Sequence, residues 1–296
     1  MKSTYRMLTV ILICHGVLSA ANAQTESQTF TSMDLPEGCT VQSNVVYKTV
    51  DEWKGLLDLY LPPKRSTPVP LVLMFHGGGW NHGKKEDIQR GALPYLKYGW
   101  AVANVEYRLL ETAPAPAAVE DARCALLWLV DHAKAFNIDS KRIITTGSSS
   151  GGHLALIIGL LPSENPFDKD CVHGGSYTIA VIINNYGVTD VVQALKKTHW
   201  FDGVTNKVEL AAALSPLNYV SGNSPPIISI HGDEDPIVPY QQAVRLHKAL
   251  DSLKVKNMLY TVRGGKHGKF DNNEKRQYAE VLKIFLTEVG LLKMQE

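Results

Sequence analysis

The chain has 296 residues, 45% hydrophobic and 20% charged, enough apolar material for the core of one α/β domain. Lys and Arg number 30 against 29 Asp and Glu, a formal net charge of +1 with no basic stripe or acidic tail. A nucleic-acid partner needs clustered cations to displace counterions, so that class is excluded. No Cys/His set has metal-ligand spacing and no glycine pattern is that of a nucleotide loop, so no metal or cofactor is expected.

Lys2 and Arg6 precede an apolar stretch from Met7 to about Ala20, and Ala21-Asn22-Ala23 has the small-x-small form that signal peptidase accepts. Residues 1–23 are therefore expected to be a signal peptide, and residues 24–296 a mature domain exported to the periplasm or beyond. The apolar run is short for a bilayer and is broken by Cys14, His15 and Gly16, so no stable membrane span is expected after cleavage.

After a polar arm, residues 45–50 and 56–61 read as two strands meeting at a turn around Lys54-Gly55. Residues 71–75 form an unbroken apolar run, as a strand buried on both faces should, and end at His76-Gly77-Gly78-Gly79-Trp80. The spacing then predicts a helix over 86–97, a strand over 100–105 and a helix over 117 to about 135. Further strands are expected at 142–146, 179–184, 227–230 and 258–262, with helices at 149–161, 240–250 and 273–289. Strands alternating with helices in this way give an α/β fold, a mostly parallel central sheet with helices on both faces. Residues 190–225 break the rhythm with short helical pieces around His199-Trp200-Phe201, as a small lid insertion would. Signal cleavage leaves Cys39, Cys124 and Cys171, room for one bridge and one free thiol. Cys124 in its apolar helix could be a buried thiol. If a bridge forms, Cys124–Cys171 is favoured, because the helices after Val105 and Gly147 should be neighbours on one face.

Gly147-Ser148-Ser149-Ser150-Gly151 falls where a strand turns directly into a helix. Small residues two before and two after Ser149 permit the sharp turn that lifts its hydroxyl above the sheet, so Ser149 is the expected nucleophile. The N–H of Ser150 and those of Gly78 and Gly79 are the expected oxyanion donors, since glycines let backbone approach a substrate oxygen closely. His76 is expected to shape that loop. A serine hydroxyl requires a base, and His267, in a Gly-rich loop after the last strand, is placed for it better than His231 or His247. For the acid, Asp233, Glu234 and Asp235 after the penultimate strand compete with Asp190 after the strand before it.

These motifs, with Glu106-Tyr107-Arg108-Leu109, Gly152-His153-Leu154-Ala155 and the run from His231 to Tyr240, occur in an order that resembles the bacterial esterase/lipase branch of the α/β hydrolases. That branch is related to hormone-sensitive lipase, and the resemblance extends from about Val45 to the C-terminus. It implies an α/β-hydrolase fold and makes Asp235, three residues before Val238-Pro239, the acid. Two departures stand out: Ser150 occupies a position that is usually Ala, and the longer N-terminal cap is missing. The chain looks closer to the compact subgroup of feruloyl and acetyl-carbohydrate esterases. The resemblance thus implies a serine carboxylesterase acting on a small-molecule or carbohydrate ester. An amidase or formamidase on the same triad and a non-catalytic binding module are the alternatives. Trp80 and Trp200 are the expected substrate-contacting aromatics that keep the acyl pocket short.

Overall fold

The computed structural model describes residues 35–172 and 175–293, so the expected signal peptide lies outside the described residues. The chain opens with an antiparallel hairpin of β1 (Thr40–Val50) and β2 (Trp53–Leu61). Its turn is Asp51-Glu52, with Asp51 at φ 50°, and not the expected Lys54-Gly55. Gly55 lies inside β2 opposite Lys48. A Cβ on it would sit 2.6 Å from the Tyr47 ring, so this glycine serves packing and makes no turn.

The remaining strands are β3 (Val69–Phe75), β4 (Ala101–Val105), β5 (Ile138–Ser148), β6 (Ile179–Asn185), β7 (Ile227–Gly232) and β8 (Asn257–Val262). They form one sheet in the order β1-β2-β4-β3-β5-β6-β7-β8, parallel from β4 to β8. Every residue of β3 and β4 is buried, because alternate side chains enter cores on opposite faces. Leu71, Leu73 and Phe75 join the larger core with Leu126 and Leu129 of α2 (Ala117–Asp131) and Leu154 and Ile157 of α3 (Ser150–Leu160). Leu246 and Leu250 of α6 (Gln241–Ser252) complete that side. Each such side chain contributes roughly 1.5–3 kcal/mol when fully buried. On the opposite face Ile230 and Val262 pack with Phe270 and with Tyr278 of α7 (Asn272–Glu288).

The helix expected over 86–97 is two pieces, a 3₁₀ helix Lys85–Ala92 and then α1 (Leu93–Lys97). Pro94 is the reason: it has no N–H to continue a ladder, but fits the first turn of a new helix. The segment before β7 carries α4 (Val191–Ala194), the 3₁₀ turn Leu195–Lys197 and α5 (Lys207–Ala213). Trp200 and Phe201 are its buried anchors. Cys124 and Cys171 are disulfide-bonded, so Cys124 is not a free buried thiol, and Cys39 is the free cysteine among the described residues. No helix among the described residues is long and apolar enough to cross a membrane.

Chain order reverses at β3, whose neighbours are β4 on one side and β5 on the other. In an open parallel sheet this switch point leaves a crevice at the carboxyl ends of the strands, where ligands bind.

Candidate active site

The loops after β3 and β5 flank that crevice. Ser149, between β5 and α3, has φ 55° and ψ −117°, a backbone conformation that few non-glycine residues adopt. The surroundings leave it little choice. A Cβ on Gly147 would meet the Gly151 carbonyl at 2.3 Å, and one on Gly151 would meet the Phe75 oxygen at 2.1 Å. Asn185 at the end of β6 clamps the turn, its carbonyl accepting from the Ser149 N–H at 2.9 Å and its Nδ2 donating to the Gly147 carbonyl at 3.0 Å.

From this turn the Ser149 Oγ meets His267 Nε2 at 2.9 Å, and His267 Nδ1 meets Asp235 Oδ2 at 2.7 Å. The other oxygen of Asp235 accepts the N–H groups of Ile237 (2.8 Å) and Val238 (3.0 Å). His231 Nε2, which donates to the Val238 carbonyl at 2.9 Å, lies 3.3 Å from Asp235 Oδ2. Burial alone would raise the Asp235 carboxyl. The hydrogen bonds from His231, His267 and the Ile237 amide outweigh it and hold the group well below the usual carboxylate range.

Of the competing carboxylates, Asp233 and Asp190 are engaged elsewhere and Glu234 is exposed. Asp233 accepts from the Gly264 N–H at 2.6 Å, and Glu234 donates its N–H to Gly265 at 3.1 Å, tying the acid loop to the histidine loop. Asp190 pairs with Arg245 at 2.8 Å. His247 bonds Asn257 at 2.6 Å, inside α6.

The loop after β3 carries Gly78 at φ 125° and Gly79 at φ 61°. Neither donates its N–H to another described residue, and Ser150, first in α3, has no acceptor within its helix. Three donors are thus left unpaired beside Ser149. His76 does shape the loop: its Nδ1 lies 2.7 Å from the Gly77 carbonyl, and its ring stacks on Tyr107 at 4.3 Å.

A cleft of about 480 Å³ opens over Ser149, walled by Trp80, the 193–199 segment and residues 236–239. Trp80 lines it and Trp200 does not. Trp200 lies behind Trp80, stacked on it at 4.2 Å, and is 1% exposed. The expected substrate contact at Trp200 is therefore corrected to a support, because its ring is spent fastening the insertion to the core. His153 meets the Trp80 ring edge-on at 5.1 Å and fixes its Nε2 on the Leu214 carbonyl at 2.7 Å. No group of three His, Cys, Asp or Glu among the described residues could hold a metal ion.

The profile of the family described as BD-FAE matches residues 57–250. The chain belongs to the BD-FAE family. The match includes Gly78, Gly79, Ser149, Ser150 and Asp235; His267 lies past its end, and its place rests on geometry. Among solved structures, this BD-FAE chain is similar to a truncated carbohydrate esterase from gut microbiota, with 26% identity and a TM-score of 0.67 over 84% of this chain and 96% of that one. It is also similar to the thermophilic esterase Est2 of Thermogutta terrifontis with propionate bound, with 25% identity and a TM-score of 0.74 over 88% and 98% of the two chains. Both have the α/β-hydrolase fold found here. Esterase LipC of Mycobacterium tuberculosis is 25% identical over 83% of this chain. The chain spans 65% of the length of LipC and 59% of that of esterase LipQ from the same organism.

Sequence reasoning weighed His231 only as a base and not as a neighbour of Asp235, and it missed Asn185 and Tyr186, whose ring lies 4.8 Å from that of His267 at 68°. The signal was their position, just past the carboxyl ends of β6 and β7 or at them. Nothing in the residue types of Asn185 and Tyr186 marks them.

Proposed function

We propose that this protein is an exported carboxylic ester hydrolase that works through an acyl-enzyme on Ser149. The observation that carries the reading is the unbroken line from Asp235 through His267 to Ser149 beneath an open cleft. Asp235 fixes the imidazole with its proton on Nδ1, leaving Nε2 to take the Ser149 proton as Oγ attacks the ester carbonyl. The oxygen that becomes negative is received by the N–H groups of Gly78, Gly79 and Ser150. When the intermediate collapses, the bond to the alcohol breaks and His267 returns the proton to it. Water, deprotonated by the same imidazole, then releases the acid and restores Ser149.

Short-acyl or carbohydrate-linked esters, acetyl and feruloyl among them, are the proposed substrates. Trp80 cannot swing away from the acyl group, because Trp200 and His153 hold it from behind. The similarity to a carbohydrate esterase and to an esterase that binds propionate supports the same choice. Export is supported by the basic-apolar-small pattern of residues 1–23 and by the Cys124–Cys171 bridge, since disulfides persist outside the reducing cytoplasm.

Ser149→Ala should lower turnover of an acetyl or butyryl ester by on the order of 10⁶. Retention of even about a tenth of the wild-type rate would remove the reading. Across acetyl, butyryl, octanoyl and palmitoyl esters of one alcohol, kcat/KM should be highest at about two to four carbons and fall steeply by about eight. A rise from butyryl to palmitoyl would mean an open apolar groove, where each buried methylene adds about 0.8 kcal/mol.

A further inference from the structure

The charges around the cleft are one-sided. Lys197 is the only formally charged side chain among its described lining residues, and His82 and His199 are the other two that can carry a positive charge. No carboxylate lines it. Three acids near its lining residues in the chain, Asp190, Asp202 and Asp235, are already engaged. Asp202 lies 3.1 Å from His199 Nδ1 and 4.0 Å from Lys207 Nζ, and Asp190 pairs with Arg245. Asp235 is buried beneath the site, its oxygens filled by His267, Ile237 and Val238. Lys197 is exposed and makes no ion pair with a described residue. Pro236 and Ile237, the latter 60% exposed and apolar, line the same cleft.

We propose that Lys197 makes this cleft selective for esters that carry a free carboxylate on a part of the molecule away from the scissile bond. The inference rests on the esterase reading and deepens it. A substrate seated over Ser149 shares the cleft with Pro236, Ile237 and the residues of the 193–199 segment that line it, Lys197 among them. An anionic group there meets an unneutralised ammonium in a cleft whose walls exclude part of the solvent, which strengthens and focuses the field. An equivalent neutral group gains nothing from it.

Two substrate pairs test this, because the carboxylate can sit on either side of the ester. One is 4-acetoxybenzoate against 4-acetoxybenzamide, and the other is 4-nitrophenyl hydrogen adipate against its methyl ester. Each enzyme is read as its own anionic-to-neutral ratio of kcat/KM, which cancels differences in leaving group. Lys197→Gln should lower that ratio about fivefold in at least one pair at low salt, the size of a good surface charge interaction. High salt should shrink the wild-type preference toward the variant's. Lys196→Gln, which removes the same charge from a neighbouring position that does not line the cleft, should keep the wild-type ratio. Equal ratios in wild type and Lys197→Gln for both pairs would overturn the proposal, as would an equal loss in Lys196→Gln. If the neutral esters are hydrolysed in a Ser149-dependent manner while the ratios do not move, only this inference falls. If neither the anionic nor the neutral esters are hydrolysed, the esterase reading falls and takes it along.

Discussion

Asp235 bonds to His267 through one oxygen and to two backbone amides through the other, so its orientation is fixed from both ends. An amide in its place would present a donor to Nδ1 and favour the wrong imidazole tautomer. Asp235→Asn should therefore lower turnover by on the order of 10⁴. Asp190→Asn, which loses only its partner Arg245, should lower it far less in the same assay. The reverse ranking would move the acid to the end of β6. Ser149 was readable from its small neighbours together with the strand-turn-helix context in which they fall. Asp235 was not: three carboxylates lie within His231–Pro236, and residue types do not say which one turns inward. The resemblance pointed to Asp235, and the structure shows the reason. The Asp233 carboxylate is bonded to the Gly264 N–H, Glu234 is exposed and Asp235 is buried against His267. Both partners lie about 30 residues away, beyond the reach of a local pattern.

The insertion before β7 acts on the site through a plate of rings. Trp200 stacks on Trp80 with 8° between the planes, and Phe201 packs against Trp200 at 5.3 Å. Trp200→Ala would leave a cavity behind the cleft wall, at a cost of about 3–5 kcal/mol, while Trp200→Phe keeps a smaller plate. Both variants should raise the ratio of octanoyl to butyryl kcat/KM, because Trp80 gains room to retreat. An unchanged ratio in folded Trp200→Phe would show that Trp80 holds its place without help. The sequence marked these aromatics amid Lys196, Lys197 and Asp202 but not the direction in which they point. Polar neighbours suggested a substrate-facing role, and the packing is inward. On the same face of the sheet, the Cys124–Cys171 bridge closes a sequence separation of 47 residues. Chain-entropy reasoning gives it about 4 kcal/mol, so the Cys124→Ala/Cys171→Ala double variant should unfold at correspondingly lower urea. Unchanged stability would mean that the unfolded chain is already constrained there.

Over the whole molecule, buried neutral histidines set the response to acid. Burial pushes His153 down to about 4 from its ordinary 6.5, against a smaller upward pull from the Leu214 carbonyl. His76 and His247 are lowered for the same reason. Between pH 6.5 and about 4 the unfolded chain binds a proton at this position that the folded chain refuses. The stabilisation from neutral His153 is thus fully present above 6.5 and is lost as pH falls, on the order of 3 kcal/mol by pH 4. Asp235 acts in a lower window, being depressed below its ordinary 3.8, and Glu106, raised by burial, slopes the opposite way. Urea unfolding at several pH values should give a shallower loss for His153→Gln than for wild type, and parallel curves would contradict the assignment. The mostly parallel sheet with helices on both faces was legible because alternating apolar runs and short loops allow few other layer arrangements, whereas the strand order and the switch point at β3 come from long-range pairing. The 85–97 segment was not legible either, because one proline decides where its ladder breaks.

Many serines lie along this chain, and one strained turn distinguishes Ser149 from the others. An alkyl fluorophosphonate reacts with a serine only where a base removes its proton and nearby N–H groups receive the phosphoryl oxygen. Peptide mass spectrometry of the treated protein is therefore the most direct measurement. One adduct should form, on the peptide containing Ser149, in step with the loss of ester hydrolysis. It should be absent in Ser149→Ala and slow in His267→Ala. An adduct on another residue, or full activity in protein labelled at Ser149, would contradict the assignment of Ser149 as the nucleophile.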